Sequence, residues 1–285
     1  YPRVWVAPDG RLYYAGAQAQ TRFLDVTGTG LWTDGPQRKF GSRSYGAAVM
    51  YEPGKIMYVG GANPPTNTAE IVDLNQPNPQ WSFTGSLATA RWNHNATLLP
   101  TGEVLVTSGV AGDRSDPTLK VNTTEIWSPA TGTWKTLASS ASLLRGYHST
   151  TLLLPDGRIL HAGGGDGAST PENLNYELYS PPYLFRGARP TITGTTPAVV
   201  THGQQLFIET PDAASITKVS FIRAGSVTHA YNQGQRFIPL SFTQSATGVT
   251  VTLPASRNVA PPGPYLLFLL NGNGVPSVGK IMRLP

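Results

Sequence analysis

Residues 154–165 read LPDGRILHAGGG, and this stretch decides the fold because the chain contains it four times. The earlier copies are APDGRLYYAG at 7–16, EPGKIMYVGG at 52–61 and LPTGEVLVTSG at 99–109. Each reads as a tight turn followed by a short strand that runs into glycine. Their turn prolines, Pro8, Pro53, Pro100 and Pro155, lie 45, 47 and 55 residues apart. That spacing fits a propeller blade of four short strands and is too long for a leucine-rich or ankyrin unit.

Working outward, a second hairpin follows the glycines in each copy. It is FLDVTGTGLWTD from Phe23, AEIVDL with QWSFTG, TEIWSPATGTWKTL from Thr124 and YELYSPPYL from Tyr176. Apolar and polar residues alternate around a turn, as they do in hairpins. The fourth copy lacks the tryptophan-bearing strand marked earlier by Trp32, Trp81 and Trp134. A closed propeller removes its free sheet edge, so four blades with an incomplete last one imply further blades. The expectation is that upstream blades arrive from the same polypeptide or from a second chain.

From about Ala188 the repeat stops. QQLFIET, ITKVSFIRA, FIPLSF, GVTVTLP, YLLFLL and KIMRL follow at turn-separated intervals, the pattern of an immunoglobulin-like sandwich. The chain is therefore expected to be all-β, with a partial β-propeller over 1–187 and an immunoglobulin-like β-sandwich over 188–285. Its 31 Gly, 25 Pro and only 13% charged residues agree with many short strands and turns.

Composition also excludes some functions. The net charge of +5 invites a nucleic-acid reading, but the cations fall singly, at turns (Arg11, Lys55, Arg158) and strand starts (Arg43, Arg91, Arg145). Without a basic stripe, no nucleic-acid partner is expected. No run of eighteen apolar residues occurs, so no membrane partner is expected. The absence of cysteine excludes disulfides and thiolate metal sites. Sequons at Asn95 and Asn122 are compatible with secretion.

Register within the repeat locates a site. Counting back from each turn proline aligns Arg43-Ser44-Tyr45-Gly46, Arg91-Trp92-Asn93-His94 and Arg145-Gly146-Tyr147-His148. The inner strands of blades line the central channel, so Tyr45, Asn93, His94, Tyr147 and His148 should converge near one mouth. For Tyr45 and His94 the simpler reading, a channel side chain satisfying a backbone group, is preferred. His161 and His202 read as structural or solvent-facing. His229 lies in the polar turn SVTHAYNQGQR between two apolar strands of the second domain, where a loop can project.

Four ordered motifs, RGYHSTTLLLPDGRILHAGGG, YSPPYLFRGARPTI, FIRAGSVTHAYNQGQRFIPL and GVPSVGKIMRL, together resemble the galactose oxidase and glyoxal oxidase family. The resemblance spans essentially the whole chain. It implies a kelch-type propeller of seven blades followed by a sandwich that pushes one histidine down the channel. It further implies one copper ion held by His148 and His229, with Tyr147 as an axial phenolate and proton acceptor. The implied reaction oxidises a primary alcohol or an aldehyde and reduces O2 to hydrogen peroxide, with a protein tyrosyl radical supplying the second electron.

That radical tyrosine, commonly linked to a cysteine, would lie upstream of this sequence, which has no cysteine. The implied substrate is a small alcohol, aldehyde or carbohydrate, and the implied location is extracellular. By register alone, Arg3, Trp92 and Asn93 are expected to contact it. The alternative reading is a catalytically silent extracellular binding or structural module on the same fold.

Overall fold

The computed structural model describes residues 2–139, 143–168, 170, 172–194 and 196–285. Among these, every extended sheet is antiparallel, and the helical content is confined to short 3-10 turns. The four repeats form four successive sheets. The first is β1 (Val4–Val6), β2 (Leu12–Tyr14), β3 (Gln20–Asp25) and β4 (Leu31–Gln37), hydrogen-bonded in chain order. The second is β5 (Ala47–Glu52), β6 (Lys55–Val59), β7 (Ala69–Asp73) and β8 (Ser82–Thr84). The third is β9 (Asn95–Leu98), β10 (Val104–Thr107), β11 (Glu125–Ser128) and β12 (Thr133–Thr136). The fourth holds three strands, β13 (Thr150–Leu153), β14 (Ile159–Ala162) and β15 (Tyr176–Tyr179), matching the repeat copy that lacks its tryptophan strand.

A buried arginine in the last three repeats explains why their inner strands begin at equivalent points. Arg43 Nη1 donates to the carbonyls of Gly60 and Thr68, Arg91 Nη1 to those of Ser108 and Thr123, and Arg145 Nη1 to those of Gly163 and Asn175. The same guanidinium groups pair with Glu70, Glu125 and Glu177 at 3.1, 2.5 and 3.9 Å. Each arginine thus ties the entry of an inner strand to the strand pair beside it. The repeat glycines permit the close approach this needs. Gly61, at φ +81°, donates to the Arg91 carbonyl, and a Cβ there would lie 2.7 Å from the Gly46 backbone.

The second part is a sandwich. One sheet is β16 (Gln205–Glu209) with β22 and β21; the other is β17 (Ile216–Arg223) with β20, β23 and β24, and β18 (Val227–Thr228) pairs β19 (Tyr231–Asn232) as a separate hairpin. The remaining ranges are β20 (Phe237–Leu240), β21 (Phe242–Gln244), β22 (Gly248–Thr252), β23 (Gly263–Asn271) and β24 (Lys280–Leu284).

Strand β23 shows why its sequence runs apolar without alternation. Tyr265, Leu267 and Leu269 pack into the sandwich core with Phe221, Val249 and Val251. Leu266, Phe268 and Leu270 face the other way, into one cluster with Val49, Val59, Leu98 and Val106 of the second and third sheets. A strand buried on both faces needs apolar residues at every position. The contact with the repeat sheets is thus continuous core, which holds the sandwich rigidly against them.

Asn95 lies inside β9, 2% exposed, and its amide donates to Ser149 Oγ. In the folded chain that sequon offers no surface for a glycan. No helix among the described residues is long and apolar enough to cross a membrane.

Candidate metal centre

The inner-strand entries and the β18–β19 hairpin build the site together. Val227 pairs with Asn232 and Thr228 with Tyr231, so His229 and Ala230 are the two residues of the turn. Their φ values of +52° and +58° match a type I′ hairpin, a conformation that favours Gly and Asn over the residues found here. His148, at φ +64°, is also left-handed, as are Tyr45 and Asn93 at the equivalent entries of the second and third sheets.

The hairpin is anchored beneath its tip. Gln235 accepts from the Leu98 amide and donates to the Ala96 carbonyl, while its own carbonyl accepts from the Met50 amide. These bonds seat the segment among the inner strands β5 and β9. His229 is thereby carried to Tyr147 and His148.

Ring centroids lie 4.0 Å apart for Tyr147 and His148, 4.7 Å for His148 and His229, and 5.5 Å for Tyr147 and His229. Tyr147 is half-buried, His148 exposed and His229 half-buried, so the cluster opens to solvent. His148 Nδ1 lies 3.0 Å from the Gly165 carbonyl, and His229 Nδ1 lies 2.6 Å from Thr228 Oγ1. The Gly165 carbonyl can only accept, so His148 carries its proton on Nδ1 and keeps Nε2 open for a metal; at His229 the Nδ1 contact with the Thr228 hydroxyl leaves Nε2 as the ring nitrogen facing away from that partner. Desolvation and the neighbouring His148 hold the His229 imidazole below its usual range, which favours the neutral form that ligates.

Among the described residues no group of three or more His, Cys, Asp or Glu converges, so the site rests on two imidazoles and a phenol. That donor set suits Cu(II), whose tetragonal preference leaves a weak axial position for a phenol oxygen.

The other residues expected at the mouth divide. Trp92 is half-buried, donates through Nε1 to the Gly112 carbonyl at 2.7 Å and meets the Tyr45 ring edge-on. Tyr45 in turn meets Tyr147 edge-on at 6.0 Å. Arg3 is 4% exposed, donates to the Gly46 carbonyl and lies over the Tyr58 and Tyr231 rings. Asn93 is 1% exposed. Both Arg3 and Asn93, expected by register to contact substrate, are therefore buried in this chain, whereas Trp92 keeps part of its surface.

His94 and His161 are fully buried, and His202 Nε2 lies 2.8 Å from the Ala260 carbonyl. Sequence reasoning missed Arg114, whose guanidinium lies over the Tyr147 ring at 5.0 Å. It also missed Thr228 and Gly165. No repeat register marks Arg114, which sits in a loop between β10 and β11.

Residues 189–284 match the model of the galactose oxidase-like early set domain. The chain is 36% identical over 257 residues to a galactose oxidase of Gibberella zeae, covering 84% of this chain and 37% of that protein. It is 29% identical to the aldehyde oxidase GLOX of Vitis pseudoreticulata, covering all of this chain and 62% of that one. A fungal alcohol oxidase solved in complex with copper superposes with a TM-score of 0.92 at 30% identity, over 99% of this chain and 63% of its own.

The architecture is accordingly the all-β galactose oxidase fold with an immunoglobulin-like early set domain. The chain belongs to the galactose oxidase and glyoxal oxidase family and is related to its copper oxidases. It spans between about a third and two thirds of these relatives' lengths.

Proposed function

We propose that this chain carries the copper-ligating part of a secreted oxidase that converts a primary alcohol or aldehyde while reducing O2 to hydrogen peroxide. The observation that carries the reading is the convergence of His229, from the sandwich, on the Tyr147–His148 pair of the fourth repeat. His148 and His229 would hold the metal through imidazole nitrogen, with the Tyr147 oxygen as a third protein ligand. When bound, copper supplies one electron of the two-electron oxidation and a site for the alcohol oxygen.

The residues of this chain do the rest. Tyr147, held as the phenolate beside the bound metal, would accept the hydroxyl proton of the substrate at its oxygen and become the phenol. Gly165 would hold the His148 imidazole in one tautomer and orientation, and Thr228 would orient the His229 ring. Tyr45 and Trp92 wall one side of the mouth. The second electron requires a redox-active tyrosine, which this reading places in upstream sequence, and the division into units at 1–187 and 188–285 belongs to the same proposal.

The test is addition of Cu(II) to this chain, followed by EPR. A tetragonal spectrum with nitrogen hyperfine structure, lost in His229→Ala while the melting temperature stays within a few degrees, is the expected result. No bound copper in the wild-type chain would end the reading.

A further inference from the structure

Arg114 is the one cation seated on the catalytic phenol's ring among the described residues, and neither the repeat register nor the metal site accounts for it. It is half-buried in the loop between β10 and β11, and Trp92 fixes that loop through its bond to the Gly112 carbonyl. Among the described residues its guanidinium forms no ion pair or hydrogen bond, and its one close contact is the Tyr147 ring. The adjacent Asp113 accepts from Ser115 through Oδ1 and attracts Arg114 only across space, an exposed carboxylate that forms no ion pair with it. The mouth is otherwise walled by Tyr45, Trp92, Tyr147, His148 and His229, none of them acidic.

A planar fork of donors left open beside a reacting phenol matches a carboxylate in shape and charge. We propose that Arg114 is a specificity-determining residue and that the site selects short alcohols or aldehydes bearing a carboxylate a few bonds from the reacting carbon. The inference deepens the oxidase reading and rests on it. In that pose the carboxylate takes the guanidinium while the carbinol lies at the Tyr147 hydroxyl, so charge recognition also sets the orientation of the reacting end.

The test compares 3-hydroxypropionate with the uncharged 1,3-propanediol, binding to the Cu(II)-loaded chain read by EPR and to the copper-free chain read by tryptophan fluorescence. The wild type should prefer the anion by about 10-fold or more, Arg114→Gln should reduce that preference to within about two-fold, and Arg114→Lys should retain part of it. Raising salt to about 0.5 M should erode the preference, since the rim is open to solvent. An anion preference unchanged in Arg114→Gln, or absent from the wild type in both forms, overturns the proposal. Failure of copper to bind in every variant strikes instead at the oxidase reading, and the copper-free measurement still decides the role of Arg114.

Discussion

The imidazoles of His148 and His229 meet edge-on with ring centroids 4.7 Å apart, although one begins the fourth repeat sheet and the other tips a hairpin of the sandwich. The site therefore exists only while the sandwich stays docked on the repeats. The core cluster shared by Leu266, Phe268 and Leu270 with Val49 and Leu98 keeps it there.

Thr228→Val should weaken Cu(II) affinity by about 10- to 100-fold, the usual effect of deleting the hydrogen-bond partner of a ligating histidine. The nitrogen hyperfine pattern should persist, because both imidazoles remain. Competition with a chelator of known affinity measures the shift, and an unchanged affinity would show that the Thr228 hydroxyl does not orient His229.

Tyr147→Phe should leave copper bound to this chain. In a polypeptide that also supplies the radical tyrosine, it should lower peroxide release by about 10²- to 10⁴-fold, the range for removing a positioned proton acceptor. Turnover at the wild-type rate would assign the base elsewhere.

Glu125→Ala should destabilise the fold by about 3–5 kcal/mol, because it leaves the buried Arg91 guanidinium without its counter-charge. Removing Asp34, whose pair with Arg22 is solvent-exposed, should cost no more than about 1 kcal/mol. Urea unfolding of the two variants side by side tests the contrast.

Burial, with Arg91 beside one ring and Arg145 beside the other, pushes the His94 and His161 imidazoles down to about 3. Above about pH 6.5 both are neutral in the folded and unfolded chains and add no pH dependence. Below that the unfolded chain takes up protons first, so stability should fall as pH drops from about 6.5 toward 3, these two histidines together contributing a slope that approaches about two protons. His161→Gln should remove about one proton of that slope. Denaturation midpoints at several pH values provide the measure.

Much of the fold was legible in the sequence because local rules write it there. The four turn-strand-glycine copies became four sheets, and the missing tryptophan strand of the last copy became a three-stranded sheet. Arg43, Arg91 and Arg145 marked inner-strand entries before their carbonyl partners were visible, since each repeat must solve the same junction. The apolar run of β23 was legible as a strand, and its covering on both faces emerged with the core clusters on either side.

The site was legible in part. Tyr147 and His148 stood out by register, whereas His229 drew its weight from family resemblance, because a histidine in a polar turn has no periodicity to mark it. Register also placed Arg3 and Asn93 at the mouth, and packing put both beneath the surface.

By itself, then, the sequence determined which segments form strands, where they turn and which positions recur, since alternation and turn chemistry act between residues close in the chain. Tertiary structure alone decided that a sandwich hairpin closes on the Tyr147–His148 pair and that Arg114 lies over the same phenol. Those meetings depend on how one buried face seats against another, which no local pattern encodes.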